Sequence, residues 1–314
     1  MQDANQTTAI GTGDGGTVTR GLSLMIVGVL MLPGIDGIAK YLSATISPGE
    51  VVWARFAFQS LLLLPLVWWR GKARWTVRRW PVHVARGAIM AGVTLLFFAA
   101  LQHLPLADAI AIFFVEPFIL TLLSVVFLGE AIGWRRVAAI VFGFVGAMIV
   151  VQPSYAVVGL PALFPLGAAF GFAVYLALTR SLAVGEDPIT MQLTAGLSAT
   201  AVMTVALIVG ETADIAVLTP SWPTADEWLL MLLLGVVATV SHTMIVYAFR
   251  HAGAGILAPF QYLEIIGATI IGLIVFGDFP TPTTWIGIGM IVGSGLYVFY
   301  REHRQASVDK MNPI

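Results

Sequence analysis

The sequence predicts an all-α membrane protein of ten transmembrane helices, arranged as two inverted five-helix repeats. Three observations carry that prediction: too little charge for a soluble chain, ten apolar blocks of spanning length, and an internal repeat with five blocks in each half. Of 314 residues, 58% are hydrophobic and 11% charged, where a soluble domain carries about 25% charged residues. Mean hydropathy is +0.91. The apolar residues are gathered into blocks close to the roughly 20 residues that a bilayer core requires.

The blocks predict spans at 21–41, 50–69, 82–102, 106–128, 134–151, 159–180, 189–209, 227–249, 253–276 and 283–300. Residues 1–20 read as a disordered polar tail, 21–151 as the first repeat, 152–300 as the second, and 301–314 as a C-terminal tail. The N-terminal tail lacks the basic-then-apolar order of a cleavable signal. It contains Gly11-x-Gly13-x-x-Gly16, but a dinucleotide fingerprint needs a preceding strand and a βαβ unit, and neither is predicted here. Pro33-Gly34 in the first span and Pro117 in the fourth predict kinks, which spans tolerate where neighbouring groups satisfy the freed backbone.

Lys and Arg are retained on the cytoplasmic side of a membrane. With a cytoplasmic N-terminus, thirteen of the sixteen basic residues fall inside, and the exceptions are Lys40, Arg55 and Arg86. The longest external segment, 210–226, holds Glu211, Asp214 and Asp226 but no Lys or Arg. All nine Trp lie at or near span ends, where indole prefers to sit. Both termini are therefore expected in the cytoplasm.

Sliding the chain against itself by 148 residues lays 87–130 on 235–278 without a gap. Gly87 then meets Gly235, His103 meets His251, Glu116 meets Glu264, and Gly129-Glu130 meets Gly277-Asp278. At the start of each half the offset is 140, pairing Ser47-Pro48 with Asp187-Pro188. An odd number of spans per half inverts the second half relative to the first. Inverted repeats are a transporter architecture, with one midplane site between halves that rock around it. The alternative is a duplicated scaffold without a transport role.

On these residues the chain resembles the drug/metabolite transporter superfamily, in its EamA-type branch of ten-span carriers. The resemblance rests on Glu116-Pro117 through Phe127-Leu128-Gly129-Glu130, its echo from Glu264 to Phe276-Gly277-Asp278, and the glycine-rich stretches Gly143–Ala147 and Gly287–Gly295. It covers about residues 20–300 and implies a carrier of small metabolites in the bacterial inner membrane. Within the family it is most similar to exporters of aromatic and other amphipathic amino acids. The chain lacks the paired intramembrane Lys and Arg of phosphate-sugar carriers, which argues against a phosphorylated substrate.

Ionisable groups inside a membrane are costly and point to function by default. Glu116 and Glu264 sit near the centres of their spans at equivalent repeat positions. Proton coupling and contact with a substrate amine are the functional readings; bracing backbone freed by a local kink is the structural one. Gln261 lies three residues before Glu264, on the same helical face, and its equivalent in the first half is Phe113. One wall thus offers an amide and the other an aromatic ring, which suits a small amphipathic ligand. His242, Phe97 and Phe98 extend this candidate substrate site, although the phenylalanines also suit lipid-facing packing. Asp36 and Arg55 lie at similar depth on adjacent spans and predict a structural or gating ion pair, with Lys40, one turn from Asp36, as competitor. Gly167-x-x-x-Gly171, Gly143-x-x-x-Ala147 and Gly289-x-x-x-Gly293 predict close helix contacts.

Export of amphipathic amino acids by alternating access is the first functional reading. The second is an uptake carrier for a vitamin or nucleoside-like cofactor. A membrane enzyme acting on lipid-linked substrates is the third, and it lacks its expected cluster of acids, His or metal ligands near one membrane face. No Cys is present, and a net charge of −1 offers no basic surface for nucleic acid. No resident cofactor or metal is expected; the partners are a small-molecule substrate, the lipid bilayer and a coupling proton, with oligomeric state left open.

Overall fold

The computed structural model describes residues 15–69, 79–128, 134–182, 187–252 and 254–311. Among them the chain is all-helical. In order, the helices are α1 (Gly15–Leu42), α2 (Pro48–Trp69), α3 (Trp80–Leu101), α4 (Leu106–Phe113), α5 (Glu116–Leu128), α6 (Trp134–Val158), α7 (Phe164–Leu182), α8 (Pro188–Ala213), α9 (Ala225–His251), α10 (Ala254–Leu257), α11 (Leu263–Ile271) and α12 (Pro282–Met311). Short 3₁₀ turns precede α7 and α11, and a π-helical turn, Gly272–Phe276, follows α11.

Eight helical stretches among the described residues are long and apolar enough to cross a membrane. They coincide with expected spans one to four and six to nine. The apolar part of α6, Val137–Val151, is shorter. Helix α1 begins at Gly15, so residues 15–20 are helical where a disordered tail was expected, and α12 continues to Met311 through most of the expected C-terminal tail. Gly11, Gly13, Glu130 and the basic cluster at 70–78 lie outside the described residues. Pro33 lies inside α1, which continues through it without a break.

Local chemistry sets several helix ends. Asp187 caps α8, accepting from the N–H groups of Ile189 and Thr190 at 3.1 Å, with Pro188 supplying a first-turn position that needs no donor. Asp187 also takes Arg250 of α9 at 3.3 Å. Thr224 and Glu227 form a capping box at the start of α9. Glu50, in the first turn of α2, accepts from the backbone and hydroxyl of Ser221 at 2.8 and 2.9 Å, pinning the 214–224 segment over that helix.

Packing follows a regular scheme. Helix α1 lies on α9 and α11, while α7 lies on α3 and α5; α3 lies on α8, while α9 lies on α2; α2 faces α8, and α6 faces α12. Lipid tails are as apolar as Leu, so helices associate through close van der Waals fit, and small residues mark the seams. A Cβ on Gly87 of α3 would strike Ser198 and the Ala195 carbonyl of α8. Its repeat equivalent, Gly235 of α9, lies as tightly against Phe58 of α2. Gly171 approaches Val93, as the first glycine motif predicted, and Gly143 lies against Phe118 and Ser294. Gly289 and Gly293, however, have no described neighbour within 4 Å of where a Cβ would stand. The glycines of α12 at the seam are Gly287, against Val150 and Gly146, and Gly295, against Tyr262.

Candidate substrate site

Two helix breaks create the site. The fourth expected span parts at Phe114–Val115, and α5 restarts at Glu116 with Pro117 in its first turn. A proline there loses no hydrogen bond, because first-turn N–H groups have no intrahelical acceptor. The ninth span is interrupted by the 3₁₀ turn Ala258–Tyr262, which contains Pro259, and α11 restarts at Leu263. Glu116 and Glu264 therefore both occupy the first turn of a half-helix, where the helix dipole favours negative charge. Neither carboxyl hydrogen-bonds the freed backbone among the described residues, and Glu116 Oε1 is buried without a partner. Among the described residues no bond carries the bracing role considered for these acids.

Both half-helices open onto a cavity of about 810 Å³. All seven residues expected at the substrate site line it: Phe97, Phe98, Phe113, Glu116, His242, Gln261 and Glu264. Spans three, four, eight and nine were expected to wall it; α1, α2, α7 and α12 also contribute, through Asp36, Arg55, Phe172 and Gly295 among others. Phe113 joins two rings into one aromatic wall, with centroids 5.4 Å from Phe97 and 5.4 Å from Phe172. Phe97 and Phe98 are buried, not lipid-facing. His242 Nδ1 sits 2.8 Å from the Ala238 carbonyl, which leaves its other ring nitrogen for the cavity.

Sequence reasoning missed Phe172, Phe114, Tyr262 and Thr94. A signal for two of them existed, since the 148-residue offset pairs Phe114 with Tyr262. These equivalent rings touch each other, with centroids 5.2 Å apart.

The charged residues correct two expectations. Lys40 does not compete for Asp36: it pairs with Asp278 at 2.7 Å, donates to the Leu104 carbonyl at 2.9 Å, and lies 4.8 Å from the Phe276 ring centroid. Buried Asp108 adjoins this cluster, near Thr284 and Ser154, and its Oδ1 has no hydrogen-bond partner. Asp36 and Arg55 line the same cavity, but they form no salt bridge among the described residues. Helix α1 packs on α9 and α11, and α2 on α8 and α9, so the two side chains face the cavity from separate helices. Each still acts on the other electrostatically, and Asp36 also acts on Glu264.

The cavity runs along the bundle past Met25 to Phe249 and Val298, and neither Lys40 nor Asp278 lines it. Buried Arg86 holds α3 to α7 toward that end. It donates to Thr179 at 2.9 Å and to the Tyr175 hydroxyl at 3.1 Å.

The EamA-like transporter family matches residues 19–152 and 159–300. The chain belongs to that family. It is a transporter and not an enzyme, in agreement with the resemblance read from Glu116 through Glu130 and its echo. It is similar to the S-adenosylmethionine uptake transporter of Rickettsia bellii, 28% identical with 93% of this chain and 97% of that protein covered. It is likewise similar to the riboflavin transporter of Rhizobium johnstonii, at 28% with 97% and 98% covered. A third relative, the pseudopaline exporter CntI of Pseudomonas aeruginosa, is 28% identical with 87% and 93% covered. A solved crystal structure superposes with a TM-score of 0.62 at 20% identity, covering 92% of this chain and 98% of that one; at that identity the likeness concerns the fold alone.

Proposed function

We propose that this transporter takes up a nucleoside-like cofactor or vitamin across the bacterial inner membrane by alternating access. The observation that carries the reading is the cavity between the two half-helices, where an aromatic wall stands beside groups of both charge signs. A flat heteroaromatic ring with polar substituents matches such a lining. The relatives named for S-adenosylmethionine and riboflavin support it, so uptake of a cofactor replaces amino-acid export as the preferred reading. In liposomes, labelled S-adenosylmethionine or riboflavin should accumulate saturably; transport of amino acids alone would return the protein to the export reading.

The architecture we propose is ten spans, with residues 21–151 and 152–300 as inverted repeats and both termini cytoplasmic. Exchanging the halves maps each packing pair onto another, α1 on α9 becoming α7 on α3, and α3 on α8 becoming α9 on α2. The Phe114–Tyr262 contact then lies on the pseudo-twofold axis. On this reading the Lys40–Asp278 pair is an external clasp and the cavity opens toward the cytoplasm.

Because the chain has no Cys, single cysteines report topology without background. Pro220→Cys and Thr281→Cys, the latter at an exposed position, should react with an impermeant maleimide from outside, and Arg74→Cys and Gln305→Cys only from the cytoplasm. Ile35→Cys, in the cavity wall, should be silent from outside and become reactive when Lys40→Met removes the clasp. External reaction at residue 74 contradicts the span order, and silence at residue 35 in the double variant contradicts the gate.

A further inference from the structure

Asp36 and Arg55 are opposite charges that face one cavity without pairing. Intramembrane charges ordinarily pair, and a buried guanidinium is costly unless its donors are used. Arg55 is only 5% exposed, yet its Nε has no partner. One Nη donates to the Thr94 hydroxyl at 3.3 Å, and that hydroxyl gives its own proton to the Met90 carbonyl at 2.8 Å. The Phe56 ring, 4.5 Å away, covers the guanidinium but accepts no strong bond. Fork-shaped donors with nothing to hold match a carboxylate. Asp36, which can only accept when ionised, matches an ammonium. A ligand that satisfies both carries an anionic and a cationic group, as an α-amino acid head group does.

We infer that the cavity selects substrates bearing an α-amino acid head group, with the carboxylate on Arg55, the ammonium on Asp36, and the rest of the molecule along the Phe97–Phe113–Phe172 wall. The inference rests on reading this cavity as the substrate site and adds what that site recognises. It separates the compounds named for the relatives: S-adenosylmethionine carries such a head group and riboflavin does not.

Binding to the purified full-length protein in nanodiscs is the test, using pairs that differ at the head group. One pair is S-adenosylhomocysteine and methylthioadenosine; the other is phenylalanine and phenethylamine. A hydrogen-bonded charge contact contributes about 1.5–3 kcal/mol, or roughly 10- to 100-fold in affinity, so the head-bearing member should bind tighter by that factor in at least one pair. Arg55→Gln should bring phenylalanine down to the level of phenethylamine, which lacks only the carboxylate, and Arg55→Gln and Asp36→Asn should each narrow the preference for S-adenosylhomocysteine over methylthioadenosine. Arg55→Lys, which keeps the charge and loses the fork, should fall between them and stands in if Arg55→Gln does not fold. Equal binding within both pairs, or a head-group preference that survives Arg55→Gln, overturns the inference. Head-group preference in the phenylalanine pair without uptake of either cofactor sinks the cofactor reading and leaves this one standing. Riboflavin uptake with no head-group preference does the reverse.

Discussion

Glu264→Gln is expected to abolish accumulation driven by a pH gradient while leaving substrate exchange intact. Glu264 lines the cavity from the first turn of α11 and acts electrostatically on Asp36. A proton taken up by Glu264 removes a negative charge beside Asp36, and through it alters the field at Arg55. That is a direct link between proton occupancy and the groups that would hold substrate. One pH unit across the membrane is worth about 1.36 kcal/mol per coupled proton, or roughly tenfold in the accumulation ratio. Glutamine keeps similar hydrogen-bonding capacity but does not titrate near neutral pH, so the whole factor should vanish. Counterflow, which needs no net proton movement, should proceed at a comparable rate. If Glu264→Gln, Glu116→Gln and the double variant all retain pH-driven accumulation, the carboxyls are not the coupling groups and the carrier is a facilitator.

Gly287→Leu is expected to prevent recovery of folded protein, whereas Gly289→Leu, two residues along the same helix, should be tolerated. A Cβ at Gly287 would stand 2.5 Å from Val150 Cγ2 and 2.7 Å from the Gly146 carbonyl oxygen. Reciprocally, a Cβ at Gly146 would stand 2.8 Å from Met290 Cβ and 2.9 Å from the Gly287 carbonyl oxygen. Two backbones meet there, so a larger side chain cannot be absorbed by a rotamer change. Overpacking costs about 1–3 kcal/mol, and more where the neighbour cannot yield. The expected cost is at or above about 3 kcal/mol, against a marginal total stability. At Gly289 nothing described stands within 4 Å, and leucine improves helix propensity by up to about 1 kcal/mol. Size-exclusion profiles and thermal unfolding in detergent separate the two variants; equal behaviour would mean that α6 and α12 do not touch at Gly287.

The repeat made part of the site legible. Its offset placed Glu116 and Glu264 at matching positions, and all seven expected substrate-site residues line one cavity. The same offset pairs Phe114 with Tyr262, an aromatic correspondence that was there to be read. Lys40 was harder. Its partner Asp278 is 238 residues away, and depth along the span favoured Asp36, one turn off on its own helix. Asp36 and Arg55 were paired on expected depth, and depth does not say whether two helices turn those side chains toward each other or toward a shared space; here both line one cavity.

By itself the sequence determined that this chain enters a membrane, where most of its spans begin and end, and that its two halves echo each other. Those properties are local: a span is a length of apolar residues that satisfies its own backbone hydrogen bonds, and a repeat is read by alignment. Only the tertiary structure decided which charges meet and which glycines touch. Such facts depend on the rotation of each helix about its axis, which in water is betrayed by a polar outer face. In lipid the outer face is as apolar as the interior. Exposed Ile274 and Val157 look no different in sequence from buried Ile291 and Val150, so the faces are set by packing between distant segments.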